Sequence, residues 1–584
     1  LPALFSVLFV SIVISFIYLP PQELKDFGQS LFSQSLFISN IYFWYERDYF
    51  DLPNNLVPLL HTWSLSVEEQ FYLFFPFVLI FFYQKKYFFH SLISIIILTI
   101  LLSYFASKTI PVSNFFLLPF RAWELLIGSV AAVLINQYKF TKNINNNFKS
   151  LFSFIGLFMV IFSLYVFDKN VNHPGIFTII PVIGTFFIIL FANSSNIIGK
   201  ILSLKPLVFF GLISYSLYLI HYPVFVFYRV QNYYKAIDTS TYIYLIILSV
   251  ILSFLSFKYI ETPFRKKNFL NRKLIFNIAL FLSLLLFIIG IVIHLNNGFP
   301  NRFSKINNLM SLSEKSPYRQ KCLSPHTGNF RDYTDACRYF GENINVAVYG
   351  DSHAVELSWT LAKRLENENR GIVDLSLSGE TPAINYKYDA ISNAHSKNVI
   401  DGIINDENIN DIVMIFRYSQ HLFGANDGGY PLLPDSLLID EFRKYPNNYN
   451  KNKIREEYWL SLLKIINILI ENNKNVIIIA PVPELGRHIK YIAYENRNLI
   501  NNNLNFNIPG ISRKYYDDRN EFILNKLESI KNMENLIIIK PTKFFCDADF
   551  CYAFKNGKPM YLDGNHLNLH AFEIVVNEIL KYLE

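Results

Sequence analysis

The chain has 584 residues, of which 52% are hydrophobic, 17% aromatic and only 17% charged, with a formal net charge of +7. That length exceeds one ordinary domain, and the balance is that of a membrane protein with a soluble part attached. The modest positive charge, with no basic stripe interleaved with aromatics, argues against nucleic acid as a partner.

Apolar residues are concentrated before His294, and charged, Asn-rich sequence dominates after it. Nine stretches, 2–19, 67–83, 91–106, 116–135, 151–167, 176–192, 207–228, 242–260 and 274–294, each approach the ~20 apolar residues that cross a bilayer. The first lacks a basic n-region and a small-residue cleavage site, so it reads as a membrane helix rather than a signal peptide. Stretch 29–44 is apolar enough to enter lipid. A full span there would reverse the parity of the first helix, so a partial or interfacial helix on the outer side is expected. Basic residues cluster in alternate loops: Lys85 and Lys86, then Lys139, Lys142 and Lys149, then Lys200 and Lys205, then the run from Arg265 to Lys273. The intervening loops 107–114, 168–173 and 231–240 are poorer in Lys and Arg. The positive-inside rule puts the first set in the cytoplasm and everything after Asn296 outside.

Polar residues interrupt these runs. His61, Ser64, Glu68 and Glu69 open the second; Arg121 and Glu124, three apart, share one helix face; Ser214, Tyr215, Ser216, Tyr218 and His221 lie together in the seventh. Such groups are costly in lipid and face a partner or an aqueous cavity. Plainer readings stay open: an internal ion pair for Arg121 and Glu124, acids suited to a helix N-terminus for Glu68 and Glu69, and a satisfied buried histidine for His221.

Residues 296–320 are polar and read as a linker or small adapter region. Beyond them, short apolar runs at 346–349, 372–377, 412–416, 476–480 and 536–539 alternate with helical patterns such as 353–366, 456–470 and 521–530. Buried parallel strands alternating with helices predict an α/β sandwich, with catalytic residues at the C-terminal strand ends. Tyr349-Gly350-Asp351-Ser352-His353-Ala354 follows the first strand, and Asp563-Gly564-Asn565-His566 precedes the last helical segment. A serine needs a base to become a nucleophile. His566 is the candidate base, Asp563 the group that holds its tautomer, and Ser352 the nucleophile. The strand–helix turn aims backbone N–H groups at an oxyanion, although Gly350-Asp351-Ser352 alone would equally be a capped turn.

The four cysteines, Cys322, Cys337, Cys546 and Cys551, all lie in the soluble half. None has CxxC spacing with partner histidines, so no metal site is expected. An even number confined to one domain points to two disulfides and an oxidising compartment. Pairs Cys322–Cys337 and Cys546–Cys551 close short loops and are the simplest; the other two connectivities, or four free buried thiols, stay open.

Four membrane motifs carry a resemblance: PLLHTWSLSVEEQFY at 58–72, RAWE at 121–124, ISYSLYLIHYP at 213–223 and YIETPFR at 259–265. In this order they resemble the acyltransferase-3 family of integral membrane acyltransferases. With the soluble half, the chain resembles the fused form that carries an extracytoplasmic SGNH hydrolase-like domain. The resemblance implies a multi-domain fold, a polytopic α-helical membrane domain followed by a three-layer α/β domain with a parallel sheet. The expected divisions are an acyltransferase-3-like domain over 1–265, an additional membrane helix with its basic loop over 266–295, the linker, and the SGNH-like domain over 321–584. It also implies O-acetylation of a cell-surface polysaccharide or its lipid-linked precursor, lipopolysaccharide O-antigen first and peptidoglycan second, with cytoplasmic acetyl-CoA as acyl donor. The location implied is the bacterial inner membrane, with the C-terminal domain in the periplasm.

By the same resemblance Ser352, Asp563 and His566 form the triad, and the Ser352 and Gly379 backbones are oxyanion donors. The family's usual Asn after the third strand is not evident; Arg417 stands there, in 416–421. The family's first helix carries an Arg followed eleven residues later by a His, and no Arg and His in this membrane half have that spacing. The chain is therefore expected to lack that helix. Two rivals remain, a membrane-tethered glycan O-acetyl esterase and a polysaccharide export or transport subunit.

Overall fold

The computed structural model describes residues 1–584 apart from 47–56, 83–86, 168–170, 233–236, 267–270, 341–342, 383, 387–388, 424–449 and 584. Lys85, Lys86, the end of the second expected span at Tyr83, and parts of the loops 168–173, 231–240 and 265–273 therefore lie outside the described residues. The chain divides into two compact units, Leu1–Gln231 with Asp238–Pro300, and Asn232–Ile237 with Asn301–Glu584.

In the first unit, seven helices among the described residues are long and apolar enough to cross a membrane: Leu60–Phe82, Phe88–Thr109, Pro111–Asn136, Asn146–Val166, Lys205–Gln231, Thr239–Arg265 and Arg272–Leu295. Two further expected stretches form shorter apolar helices, Pro2–Tyr18 and Ile176–Phe191. The second expected span starts earlier than its apolar run, because a 3-10 turn over Leu60–Thr62 leads straight into the helix Trp63–Phe82. The polar residues 61–70 are thereby drawn into the helix. Stretch 29–44 is split between helices Pro21–Ser35 and Ser39–Glu46. The first packs against Arg272–Leu295 through Gly28 and Gly290; a Cβ on either would lie within 3 Å of the other's carbonyl oxygen. Small residues let helix backbones approach where no hydrophobic drive separates protein from lipid. Outward faces carry large apolar side chains such as Phe74, Phe81, Leu98, Phe105 and Phe281, as a lipid-facing surface requires.

The second unit is built on a six-stranded sheet of order β1-β3-β2-β4-β5-β7. Its strands are β1 (Cys337–Tyr339), β2 (Asn343–Gly350), β3 (Arg370–Ser376), β4 (Asp411–Ile415), β5 (Asn475–Ile479) and β7 (Leu536–Ile539). The five expected strands pair in parallel, and β1 adds an antiparallel edge on β3. Alternation along β2 explains the layers. Val346 and Val348 pack with Leu357, Leu361, Phe572 and Val576 on one face. Ala347 and Tyr349 pack with Ile400, Leu462 and Ile466 on the other. Both faces are covered, so the strands read as near-continuous apolar runs. Strand order reverses about β2, flanked by β3 and β4, and ligands in such sheets bind at this switch point.

Three features were not legible beforehand. Strands β6 (Ile508–Ser512), β8 (Phe550–Lys555) and β9 (Lys558–Pro559) form a small antiparallel sheet. Strand β1 has three residues, too few for periodicity to register. Residues 301–320, expected as a linker, pack into this unit: Ile306 is buried, the Ser313 hydroxyl donates to the Tyr561 carbonyl, and Leu569 N–H donates to the Glu314 carbonyl.

Candidate active site

The C-terminal end of β2 is held by a close backbone approach. A Cβ on Gly350 would fall 2.0 Å from the Ile415 carbonyl at the end of β4, so only glycine fits there. Asp351 follows, buried, and acts as a staple. Its Oδ1 accepts from His353 N–H and faces His353 Nδ1, both at 2.9 Å, and its Oδ2 accepts from Arg417 N–H at 2.6 Å. Burial alone would raise this carboxyl; the attraction to His353 and these hydrogen bonds outweigh it and hold Asp351 at about 2. The turn thus delivers Ser352 at the N-terminus of the helix Ala354–Leu365.

Ser352 Oγ lies 2.7 Å from His566 Nε2, and His566 Nδ1 lies 2.7 Å from Asp563 Oδ2. The other Asp563 oxygen accepts from the Asn565 and His566 backbone N–H groups, each at 2.9 Å. The carboxylate can only accept, so the hydrogen sits on Nδ1 and Nε2 is free to take the serine proton. Burial works against a charged Asp563, but its bond and attraction to His566 and the two N–H donors hold it below the usual carboxylate range. His566 is lowered from its ordinary value, by burial first; Asp563 opposes that, while His353 and Arg319 add to it. A neutral base beside an ionised orienting acid is what nucleophilic acyl transfer requires.

The two expected oxyanion donors are the Ser352 and Gly379 backbone N–H groups. Gly379 has φ +66°, a left-handed conformation that favours glycine, and its Cβ position faces open space. Among the described residues neither the Ser352 nor the Gly379 backbone N–H has an acceptor. Arg417 differs from a free donor: its guanidinium bonds Gln420 at 2.9 Å and Glu484 at 2.7 Å. Arg519 approaches the same Glu484 oxygen at 3.5 Å. Burial would raise Glu484, but the two guanidinium groups hold it at about 2.

Two neighbours of Ser352 and His566 were not legible in the sequence. His353 stacks on His566, with ring centroids 4.6 Å apart and planes at 29°. Arg319 bonds the Ser352 carbonyl at 3.3 Å and pairs with buried Glu356. Adjacency to Ser352 was the only signal for His353, and nothing in the pattern marked Arg319.

Both disulfides form within the short loops, Cys322–Cys337 and Cys546–Cys551. The first ties the short helix Arg319–Cys322 to β1; the second closes the approach to β8. Among the described residues no group of three His, Cys, Asp or Glu side chains could hold a metal ion.

Several of the polar residues singled out in the membrane unit meet in three clusters. Arg121 bonds Glu124 at 3.1 Å and His173 Nε2 at 3.2 Å, with its guanidinium 4.8 Å from the Trp63 ring centre. Tyr218 donates to the His61 carbonyl and meets Ser64 Oγ, both at 2.5 Å. The buried His61 ring lies against Tyr222 at 5.0 Å and His221 at 6.4 Å. Ser216 bonds Ser256 at 2.8 Å and also bonds Glu261, which pairs with Arg265 at 3.1 Å. Glu261 belongs to the fourth motif, 259–265. Ser214 is not brought in; it is exposed and its hydroxyl bonds the Gly211 carbonyl. Glu68 and Tyr215 are half-buried and Glu69 is exposed. Both acids lie in the second turn of their helix, not at its N-cap.

Two family models match the chain, an acyltransferase domain over residues 1–258 and an SGNH domain, described as fused to AT3 domains, over residues 321–581. The O-acetyltransferase OatA of Staphylococcus aureus strain NCTC 8325 is 30% identical over 286 residues, 46% of this chain and 46% of that protein. The OatA of strain COL matches to the same extent. The match thus spans just under half the length of these curated relatives. The periplasmic domain of the lipopolysaccharide acetyltransferase of Salmonella ser. Paratyphi A aligns with 48% of this chain and 95% of its own, at 14% identity and a TM-score of 0.30. That likeness is too slight to rest an argument on.

Proposed function

This chain belongs to the acyltransferases whose membrane domain is fused to an SGNH domain, and from that premise we propose that it is an O-acetyltransferase of a cell-surface polysaccharide. The observation that carries the reading is the unbroken relay from Ser352 through His566 to Asp563, two contacts of 2.7 Å. Relatives named O-acetyltransferase support the reaction class. Two disulfides support an oxidising compartment for the second unit, hence an extracytoplasmic site of delivery.

The proposed donor is cytoplasmic acetyl-CoA, with the Arg121–Glu124 and His61–Ser64–Tyr218–His221 clusters serving the passage of the acetyl group through the membrane domain. Outside, Ser352 Oγ attacks the acetyl carbonyl as His566 Nε2 takes its proton. The Ser352 and Gly379 N–H groups receive the oxyanion. Collapse breaks the bond to the carrier, which departs with the proton from His566, and leaves Ser352 acetylated. A sugar hydroxyl then attacks that ester, gives its proton to His566, and leaves as the acetylated glycan while Ser352 recovers the proton. A bound glycan wins over water by occupying the site. O-antigen or its lipid-linked precursor is the first acceptor to test and peptidoglycan the second.

The test is transfer of label from acetyl-CoA to polysaccharide in membranes carrying the protein. Transfer by the wild type that is lost in Ser352→Ala supports the reading. Transfer at the normal rate by Ser352→Ala refutes this order of steps, and release of free acetate from acetylated glycan without net transfer points to the esterase.

A further inference from the structure

Behind the catalytic Asp–His pair stands a second one. His353 Nδ1 faces Asp351 Oδ1 at 2.9 Å, and its Nε2 faces the Asn565 carbonyl oxygen at 3.2 Å. A carboxylate and a carbonyl only accept hydrogen bonds, so both contacts are satisfied together only when both ring nitrogens carry hydrogen. The species that fits is an imidazolium. Its side chain is 2% exposed, so water cannot stand in for either partner. A buried cation needs a close anion, and Asp351, held by two backbone N–H groups as well, is that anion.

This cation lies face to face with the catalytic base, ring centroids 4.6 Å apart. We propose that His353 is a positioning residue: a buried imidazolium, clamped between Asp351 and Asn565, that fixes the plane of His566 and keeps His566 neutral and ready to accept a proton. The inference rests on the reading of Ser352 and His566 as nucleophile and base. Among the described residues, the titratable and charged groups around His566 are Asp563 on its own loop, His353 at the N-cap of the helix Ala354–Leu365, and Arg319 with its partner Glu356; Asp351, Arg417 and Glu484 stand behind His353. Asp563 favours a charged His566, whereas burial, His353 and Arg319 oppose it. When His566 takes the serine proton, two imidazolium rings face one another. Like charges at that distance repel, so protonated His566 is a stronger acid toward the departing group, and His353 favours the return of the proton.

The experiment uses the full chain in detergent, with p-nitrophenyl acetate as probe and Ser352→Ala as blank. The acid limb of kcat/KM is compared between wild type and His353→Gln, which removes the charge while keeping a polar side chain. The expected result is a limb moved to higher pH by about one unit, the direction that loss of a neighbouring like charge dictates, with a lower plateau. A plateau that falls while the limb stays in place would make His353 merely structural and overturn the inference. A second measurement does not depend on the variant folding: 15N spectra of the histidine-labelled wild type at pH 7.5. Both ring nitrogens of His353 protonated is the expected result; one bare nitrogen overturns the proposal. If the wild type shows no ester turnover above the blank, the catalytic reading fails, and the spectra still decide the state of His353.

Discussion

Ser352 Oγ and His566 Nε2 stand 2.7 Å apart although 214 residues of chain separate them. The contact exists because β2 ends at the switch point of the sheet and the loop before the last helix returns to the same edge. Replacing Ser352 or His566 by Ala should lower ester turnover by roughly 10³-fold or more, and Asp563→Asn by roughly 10²- to 10⁴-fold. Combining the changes should cost little beyond the worst single one, because the three act as a unit. Steady-state turnover of an activated acetyl ester checks this.

In the proposed reaction neutral His566 is the working form, and its folded value lies below the ordinary 6.5. Activity is lost as pH falls through that folded value, so the acid limb of kcat/KM should lie below pH 6.5. A limb at or above that value would show that the base is not held as described.

Gly379 is required by its φ of +66°, not by crowding. Gly379→Ala should therefore cost about 1–2 kcal/mol of backbone strain and re-aim the N–H offered to the oxyanion. Loss of one such donor is worth about 10²–10³ in kcat, so kcat should fall within that range or somewhat less while KM changes little. Kinetics of the variant, with its melting temperature as control, tests the assignment.

Glu484 joins Arg417 and Arg519 in a buried ion cluster. Removing one partner of such a pair leaves uncompensated charge, and Glu484→Gln should cost about 3–5 kcal/mol. The sign with pH follows from its depressed value. The contribution is fully present above 4.5, the ordinary value, and is lost as pH falls from there toward about 2. The melting-temperature gap between wild type and variant should therefore shrink on acidification through that window.

Much of this was legible because it is written locally. The five parallel strands appear as apolar runs since both sheet faces are covered, and Ser352 and His566 sit in short motifs beside strand and helix signals. Short-loop cysteine pairs needed no long-range information. What escaped depends on contacts between distant segments. The clamp on His353 needs Asn565, 212 residues away, and Arg319 reaches Glu356 only because residues 301–320 fold onto the α/β unit. Pro509 and Gly510 obscured β6, being poor strand formers. In the membrane unit the polar residues were visible one by one, but not which of them meet: Ser214 lies three residues from Gly211 and bonds its own helix, whereas Ser64 and Tyr218 join two helices across 154 residues.

The most direct test of the central claim is the intact mass of the full-length protein after a brief incubation with an activated acetyl ester, with Ser352→Ala alongside. The account predicts a gain of one acetyl group that maps to Ser352 and is absent from the variant. No adduct together with no ester turnover, or an adduct of equal yield in the variant, would contradict it.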